Sequence, residues 1–216
     1  AFAESMSPAV QTSERKKKMN GKGLYVGIDS GSTSTDVVIL NEEQEIVSQV
    51  ILPTGAGAAA GADRALEEAL RQANLTREDL TAIVTTGYGR TAIQSGDKSI
   101  TEITCHARGA FFLNPNVRTI IDIGGQDSKV IRIDDTGNVT NFVMNDKCAA
   151  GTGRFLELMA RTLELSLEQM SEMGLTWKED ITISSMCTVF AESEVVSLIA
   201  QDKTAADIIH GLNESV

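Results

Sequence analysis

The sequence predicts an α/β protein in which a β-β-β-α unit is duplicated. Apolar runs of strand length alternate with polar turns near the start of the chain and again near its middle. Each set of three runs opens with a strand that delivers an aspartate, Asp29 or Asp122, into a turn that contains glycine. Segments with apolar residues at helical spacing follow both sets. The recurrence indicates an internal duplication.

The first unit is predicted to contain four strands and two helices. The strands are expected at residues 24–28, 37–40, 46–52 and 82–86. The helices are expected at residues 62–73, where alanines and leucines share one face, and at 100–110, which Pro115 stops. The glycine- and alanine-rich segment 53–61 is predicted to be a flexible loop.

The second unit is predicted to begin with three strands and to continue mainly as helices. The strands are expected at residues 117–123, 129–133 and 139–144, with a short one at 181–183. The helices are expected at 155–165, after the cap at Ser166, at 189–201, and at 205–212 after a cap that ends at Thr204. Residues 174–180 are predicted to be a loop.

The domain organisation follows from these units. Residues 1–22 contain Lys16, Lys17 and Lys18 with no apolar stretch after them, so they are interpreted as a flexible tail or linker rather than a signal peptide. Residues 23–114 form the first predicted subdomain, and residues 115–216 form the second.

Composition excludes several functional classes. The net charge of −11 is unfavourable for binding a nucleic-acid backbone, so no nucleic-acid partner is expected. No apolar run reaches transmembrane length, so no membrane partner is expected. Three cysteines in 216 residues are too few for a disulfide framework and favour a reducing, cytoplasmic location.

The turn between the first two strands has the composition of a phosphate-binding loop. Gly31 permits a positive φ or a close backbone approach, and the neighbouring hydroxyls and N–H groups are able to surround a phosphate. Asp29 is expected at the end of the first strand, where it would hold a hydrated Mg²⁺. The alternative is an ordinary hairpin. The similar turn after Asp122 favours nucleotide binding, because two such turns facing each other across a cleft would clamp the phosphates from both sides.

Four motifs resemble a known family. They are residues 27–35 (GIDSGSTST), 122–129 (DIGGQDSK), 145–157 (NDKCAAGTGRFLE) and 185–195 (SMCTVFAESEV). The first two are shared by many members of the ASKHA superfamily, whose ribonuclease H-like fold occurs in actin, Hsp70 and sugar kinases. The last two are more specific, and with them residues 23–216 resemble the activators of 2-hydroxyacyl-CoA dehydratases, in the BadF/BadG/BcrA/BcrD ATPase family.

This resemblance implies a homodimeric ATPase with one [4Fe–4S] cluster at the subunit interface. Cys148 and Cys187 of each chain would bind the cluster. ATP hydrolysis would drive an electron from reduced ferredoxin or flavodoxin to a (R)-2-hydroxyacyl-CoA dehydratase or a similar low-potential reductase. Family members carry a Gly-Gly adenosine-binding segment beyond the last helix. This chain has none after Val216, so it is expected to be a fragment of a longer or multi-repeat polypeptide, and its adenosine-binding residues are not assigned.

The resemblance also implies roles in ATP binding. The expected phosphate ligands are Ser30, Gly31, Ser32, Thr33, Gly124, Gly125, Gln126 and Lys129. Asp29 and Asp122 would hold Mg²⁺ through water, and Gln126 would orient the attacking water. Two alternatives stay open: Asp122 as a strand-end cap, and Lys129 with Asp127 as a surface pair.

The two cluster cysteines lie 39 positions apart, and each is expected just before a helix. Helix dipoles and free N–H groups favour thiolates at such positions. Two thiolates do not complete a four-cysteine site, but a twofold axis between two chains supplies four. The alternatives are buried structural thiols or a shared Zn²⁺. Lys147 would either oppose the cluster's charge or be solvated.

Three other residues of reactive or aromatic type are assigned no functional role. Cys105 and His106 are adjacent in a helical stretch, which is not metal-ligand spacing, so a structural role is expected for both. Trp177 lies in a predicted loop and is given no role.

Two rival functions remain. A sugar or acyl kinase would use the same ATP clamp, but no clear catalytic base for a phosphoryl acceptor is present. A nucleotide-dependent regulatory dimer without electron transfer would also use ATP, but neither rival explains the motifs around Cys148 and Cys187.

Overall fold

The structure, a computed structural model, describes residues 23–146, 148–184 and 187–216. The predictions for residues 1–22 and for Lys147 lie outside the described residues. The chain divides into two compact units between Cys105 and His106. Each unit is described by itself.

The first unit is a five-stranded sheet with one long helix packed on it. The strands are β1 (Tyr25–Ser30), β2 (Ser34–Leu40), β3 (Ile46–Pro53), β4 (Ala82–Thr86) and β5 (Lys98–Ser99). Their order is β3-β2-β1-β4-β5. The first three strands are antiparallel neighbours, and β4 runs parallel to β1. Short 3₁₀ turns lie at Arg77–Asp79 and Arg90–Ala92.

Helix α1 (Ala58–Ala73) covers one face of this sheet. Alternate residues of β1 and β2 point towards it, so Ile28 and Ile39 pack with Leu66 in the core. Burying each such side chain contributes about 1.5–3 kcal/mol. The prediction that α1 starts at Ala62 is wrong by one turn. Gly61 therefore lies inside the helix, where glycine is required because a side chain would come within 2.7 Å of the Thr54 carbonyl oxygen.

The second unit combines a three-stranded antiparallel sheet with a cluster of helices. The strands are β6 (Thr119–Ile123), β7 (Ser128–Ile133) and β8 (Val139–Asn145), in that order in the sheet. The helices are α3 (Gly153–Thr162), α4 (Leu167–Met173), α5 (Thr188–Ala200) and α6 (Ala205–Ser215). Helix α2 (Glu102–Leu113) leads into this unit from the first. The helical core is centred on Phe155, Met159, Ile208, Ile209 and Leu212.

Two helix starts are confirmed in detail. Ser166 and Gln169 form the capping box of α4, and the Thr204 hydroxyl accepts the Asp207 N–H at the start of α6. The expected strand at residues 181–183 is wrong, because residues 181–184 form no regular structure. Ile181 and Ile183 are buried in the helical core, so their alternation reflects packing against helices rather than strand pairing. The short strand β5 was not predicted.

Trp177 is packed against a neighbour. Its ring stacks on His210 at a centroid distance of 3.8 Å, while 43% of the residue remains exposed.

Within the described ranges, no helix is both long enough and apolar enough to cross a bilayer.

Candidate functional site

The first turn is shorter than predicted and is firmly anchored. β1 continues to Ser30 and β2 begins at Ser34, so only residues 31–33 form the turn. The Gly31 N–H donates to the Ser34 carbonyl at 2.9 Å, and the Thr54 hydroxyl donates to the Gly31 carbonyl at 2.8 Å. Ser32 and Thr33 are exposed at the tip. The turn therefore presents two hydroxyls to solvent on a fixed backbone.

Ser30 differs from its neighbours at the tip. It is fully buried, and its hydroxyl has no hydrogen-bond partner. The Gly89 N–H donates to the Ser30 carbonyl at 2.9 Å, and a side chain at Gly89 would come within 2.4 Å of the Ser30 hydroxyl. Gly89 is thus needed for the close packing of the loop after β4 against the first turn.

Asp29 lies within β1, one residue before the strand end. It is paired in register with Asp36 on β2 and with Thr86 on β4. Gly87, at φ +81°, passes so close that a side chain there would come within 2.3 Å of Asp29 Oδ1. Sequence reasoning assigned no role to Asp36, Thr86 or Gly87. The available signal was Gly87, a glycine directly after the strand predicted at residues 82–86.

Asp36 is the second carboxylate of this row. Burial raises its pKa above the ordinary value, and a hydrogen bond with Ser34 opposes this only in part. One of its oxygens, Oδ1, is buried without a hydrogen-bond partner, as is the hydroxyl of Thr86. Asp29 is therefore flanked on both neighbouring strands by a side-chain oxygen that makes no hydrogen bond.

The second turn joins β6 to β7. The Gly124 N–H donates to the Asp127 carbonyl at 2.8 Å and closes the turn. Gln126 is exposed, whereas Gly124 and Gly125 are half-buried. A side chain at Gly124 would come within 2.5 Å of Asp127 Oδ1, so the turn requires glycine there. Gln126 is therefore the solvent-accessible residue at the tip of this turn.

Lys129 lies in a buried charge cluster below this turn. Its Nζ is 2.8 Å from Asp127 Oδ2 and 3.3 Å from Asp122 Oδ2. Burial by itself would lower the Lys129 pKa, but the hydrogen bond and charge of Asp127, with the charge of Asp122, outweigh it and raise the pKa. Lys129 and Asp127 are only 4% and 5% exposed, so the surface-pair alternative is wrong.

His106 approaches the same cluster from α2. Its Nδ1 lies 3.4 Å from Asp122 Oδ2 without the alignment of a hydrogen bond. Asp122 thus has Lys129 and His106 as neighbours, a combination that sequence spacing did not reveal. The half-buried carboxylate is not an isolated strand-end cap.

Cys148 lies in a loop that several hydrogen bonds hold. The Asn145 amide donates to the Cys148 carbonyl at 3.1 Å, and its oxygen accepts the Cys148 N–H at 3.3 Å. The Ser128 hydroxyl donates to the Gly151 carbonyl. Thr152 occupies the N-cap position of α3, so Cys148 lies several residues before the helix rather than directly at its start. The thiol is free and half-exposed.

The N–H groups at the start of α3 are already used. Gly153 donates to the Gly124 carbonyl at 2.8 Å, and Arg154 donates to the Gly125 carbonyl at 2.9 Å. The expectation that these groups are free beside Cys148 is therefore wrong. They connect the helix to the second turn instead.

Cys187 is placed as predicted, at the N-cap of α5. Its carbonyl accepts the Ala191 N–H at 3.0 Å, and its thiol is free and half-exposed. Beside it, Val189 and Phe190 are 65% and 66% exposed. Across the described part of the chain, no group of three or more His, Cys, Asp or Glu side chains is arranged to hold a metal ion.

Comparisons with known proteins agree with this arrangement. The model of the BadF/BadG/BcrA/BcrD ATPase family matches residues 26–216. The activator of lactoyl-CoA dehydratase from Anaerotignum propionicum is 50% identical over 191 residues, which cover 88% of this chain and 73% of that protein.

Two solved structures are also similar. Component A of (R)-2-hydroxyglutaryl-CoA dehydratase from Acidaminococcus fermentans matches with a TM-score of 0.85 at 46% identity, over 89% of this chain and 74% of that one. The activator of 2-hydroxyisocaproyl-CoA dehydratase from Clostridium difficile, with bound ADPNP, matches with a TM-score of 0.83 at 44% identity, over 90% of this chain and 72% of that one. These matches confirm the predicted α/β ASKHA fold. The chain belongs to the BadF/BadG/BcrA/BcrD ATPase family.

Proposed function

We propose that this chain is an ATP-hydrolysing iron–sulfur activator that transfers electrons to a (R)-2-hydroxyacyl-CoA dehydratase or a similar low-potential reductase. The observation that carries the proposal is the direct hydrogen bonding of the second turn to the start of α3, just beyond the Cys148 loop. The printed names of the relatives, which are dehydratase activators, support the same role.

ATP binding is assigned to the two turns. In the first, the exposed hydroxyls of Ser32 and Thr33 would donate to phosphate oxygens, while Ser30 and Gly31 hold the backbone that presents them. In the second, the Gly125 N–H would donate to the phosphates, while Gly124 closes the turn. The relative with bound ADPNP supports nucleotide binding.

Hydrolysis requires a positioned water and a divalent cation. Gln126 is exposed at the tip of the second turn, and we assign it the orientation of the attacking water. Asp29 and Asp122 would hold Mg²⁺ through water, and the cation would neutralise charge on the phosphates. Lys129 is held by Asp127 and Asp122, so its contribution to phosphate binding is to offset part of the negative charge of these two carboxylates below the turn.

The cysteines suit a cluster shared by two chains. Cys148 and Cys187 are free, half-exposed thiols, and two per chain give the four thiolates of a [4Fe–4S] cluster only in a homodimer. The exposed Val189 and Phe190 beside Cys187 offer apolar surface for a second copy to cover. When bound, the cluster supplies one-electron transfer, which a shared Zn²⁺ would not.

The hydrogen bonds suggest how nucleotide state reaches the cluster. A shift of the second turn would be passed to α3 through the carbonyls of Gly124 and Gly125, and to the Cys148 loop through the bond between Ser128 and Gly151. Such a coupling requires that the second turn, the Cys148 loop and α3 have two distinct arrangements and change between them together. The electron donor would be reduced ferredoxin or flavodoxin, in the cytoplasm.

Anaerobic purification tests the proposal. We expect a brown protein with about four irons per dimer. Cys148→Ser should remove the iron, whereas Cys105→Ser, a matched change of a free cysteine outside the motifs, should retain it. A colourless wild-type protein without iron would contradict the proposal. If its ATPase activity were stimulated by a sugar, the kinase alternative would replace it.

A further inference from the structure

A polar row crosses three strands of the first sheet. Asp36 on β2, Asp29 on β1 and Thr86 on β4 are paired in register, so their side chains project from the same face of the sheet. The row lies on the face opposite Ile28 and Val37, which point into the core.

Two carboxylates directly opposite each other on neighbouring strands repel. Asp29 and Asp36 are both half-buried, which strengthens the repulsion relative to that in open water. Among the described residues, no basic side chain forms an ion pair with Asp36. The guanidinium of Arg90, after β4, contacts Glu102 at 3.1 Å and the Gly87 carbonyl at 2.9 Å.

Two oxygens in this row have no partner. Thr86 is 9% exposed, and its hydroxyl is buried without a hydrogen bond. Asp36 Oδ1 is likewise buried and unpaired. Buried polar atoms are nearly always satisfied in proteins, so an unpaired one is destabilising until it finds a partner. A ligand that binds a carboxylate oxygen and also contacts a hydroxyl would satisfy both Asp36 Oδ1 and the Thr86 hydroxyl.

We propose that Asp36 and Thr86 complete, with Asp29, an oxygen-donor site for a hydrated divalent cation such as Mg²⁺. The cation's two positive charges would balance the two carboxylates, and its bound waters would donate to Asp36 Oδ1 and contact the Thr86 hydroxyl. Mg²⁺ keeps several waters and is commonly held by one or two carboxylates together with substrate phosphates. The site rests on the proposed function, because the same cation would accompany ATP.

Gly87 is a structural requirement of the site. Its positive φ and its closeness to Asp29 Oδ1 leave no room for a side chain over this carboxylate. The backbone there therefore limits the directions from which Asp29 is accessible. Asp36 and Thr86 act on the cation through water and are positioning residues rather than catalytic ones.

Cation binding is measured without relying on turnover. Mn²⁺ is titrated by electron paramagnetic resonance, as a probe for Mg²⁺, into anaerobically purified protein with and without ADP. We expect Asp36→Asn to weaken Mn²⁺ binding by about tenfold or more, the range typical of residues that orient metal ligands, and Thr86→Val to weaken it less. Asp63→Asn, which removes an exposed carboxylate of α1, is the matched control and should bind as wild type.

Thermal unfolding supplies a second measurement. Without divalent cations, Asp36→Asn should be at least as stable as wild type, because it removes one of two opposed charges. Added Mg²⁺ should stabilise wild type but not Asp36→Asn. Mn²⁺ affinity within twofold of wild type in Asp36→Asn would overturn the inference. If wild type binds ADP and Mg²⁺ has no effect, the inference about this site is overturned and the proposed function stands. If wild type binds neither ADP nor the cation, the inference and the proposed function are both overturned.

Discussion

Gly153 donates its backbone N–H to the carbonyl oxygen of Gly124 at 2.8 Å. Gly124 belongs to the turn assigned to phosphate binding, and Gly153 is the first residue of the helix that follows the Cys148 loop. The next pair, Arg154 and Gly125, repeats the contact at 2.9 Å. A shift of the turn would therefore be passed to the helix within one unit, which is the link that the proposed function requires between nucleotide state and the Cys148 loop.

The bond between the Ser128 hydroxyl and the Gly151 carbonyl is a second link to the Cys148 loop. We predict that Ser128→Ala reduces the effect of nucleotide on the rate at which an iron chelator removes the cluster. Ser128→Thr retains the hydroxyl and serves as the control. An unchanged nucleotide effect in Ser128→Ala would show that this bond does not contribute to the coupling.

Gly87 is predicted to be intolerant of substitution. In Gly87→Ala the new Cβ would meet Asp29 Oδ1 at 2.3 Å, on a backbone at φ +81° that L side chains rarely adopt. We expect ATP affinity to fall by at least about tenfold and the free energy of unfolding to fall by about 1–3 kcal/mol, measured by nucleotide titration and urea unfolding. Gly27→Ala is the control in β1, because nothing lies within 4 Å of its Cβ position. Equal effects in both variants would refute the explanation.

Lys129 is predicted to contribute strongly to the stability of the fold. Lys129→Met leaves Asp127 and Asp122 without their buried cation, and breaking a buried ion pair on one side costs about 3–5 kcal/mol. Urea unfolding measures the loss. Lys203→Met removes the more exposed pair with Glu179 and should cost less than about 1 kcal/mol. Similar losses in the two variants would indicate that the Lys129 cluster is not a strong structural element.

Asp207 is predicted to stabilise the fold less as the pH becomes acidic. Hydrogen bonds from the N–H groups of Glu179 and Lys178, together with the Thr204 hydroxyl, lower its pKa to about 2 from 3.8. Because the folded-state pKa lies below the unfolded one, its stabilising contribution is complete above pH 3.8 and is lost as the pH falls towards 2. The difference in unfolding free energy between wild type and Asp207→Asn should shrink across that interval. A difference that stays constant from pH 5 to about 2 would contradict this account.

Local patterns in the sequence predicted most of the fold, because strand alternation and helix caps act over a few residues. Residues 82–86 were predicted as a strand and form β4, and Ser166 caps α4 as expected. The strand expected at residues 181–183 failed because the burial of Ile181 and Ile183 comes from helices distant in the sequence. Periodicity reports that a residue is buried but does not identify what buries it.

The site was predicted less completely for a similar reason. Motifs pointed to Asp29, Asp122, Cys148 and Cys187, which follow recognisable turns or precede helices. The partners of those residues come from other elements: Asp36 and Thr86 are brought to Asp29 by strand register, and His106 is brought to Asp122 by the course of α2. Such contacts depend on tertiary structure, which spacing along one chain does not encode in a readable form.

In the proposed function, nucleotide state controls a cluster held by Cys148 and Cys187. The most direct test is the rate at which an iron chelator bleaches the anaerobically purified dimer with ADP and with a non-hydrolysable ATP analogue. We expect different rates in the two nucleotide states, because hydrogen bonds connect the second turn to the Cys148 loop and to α3. Equal rates with both nucleotides, in protein that binds both, would contradict it.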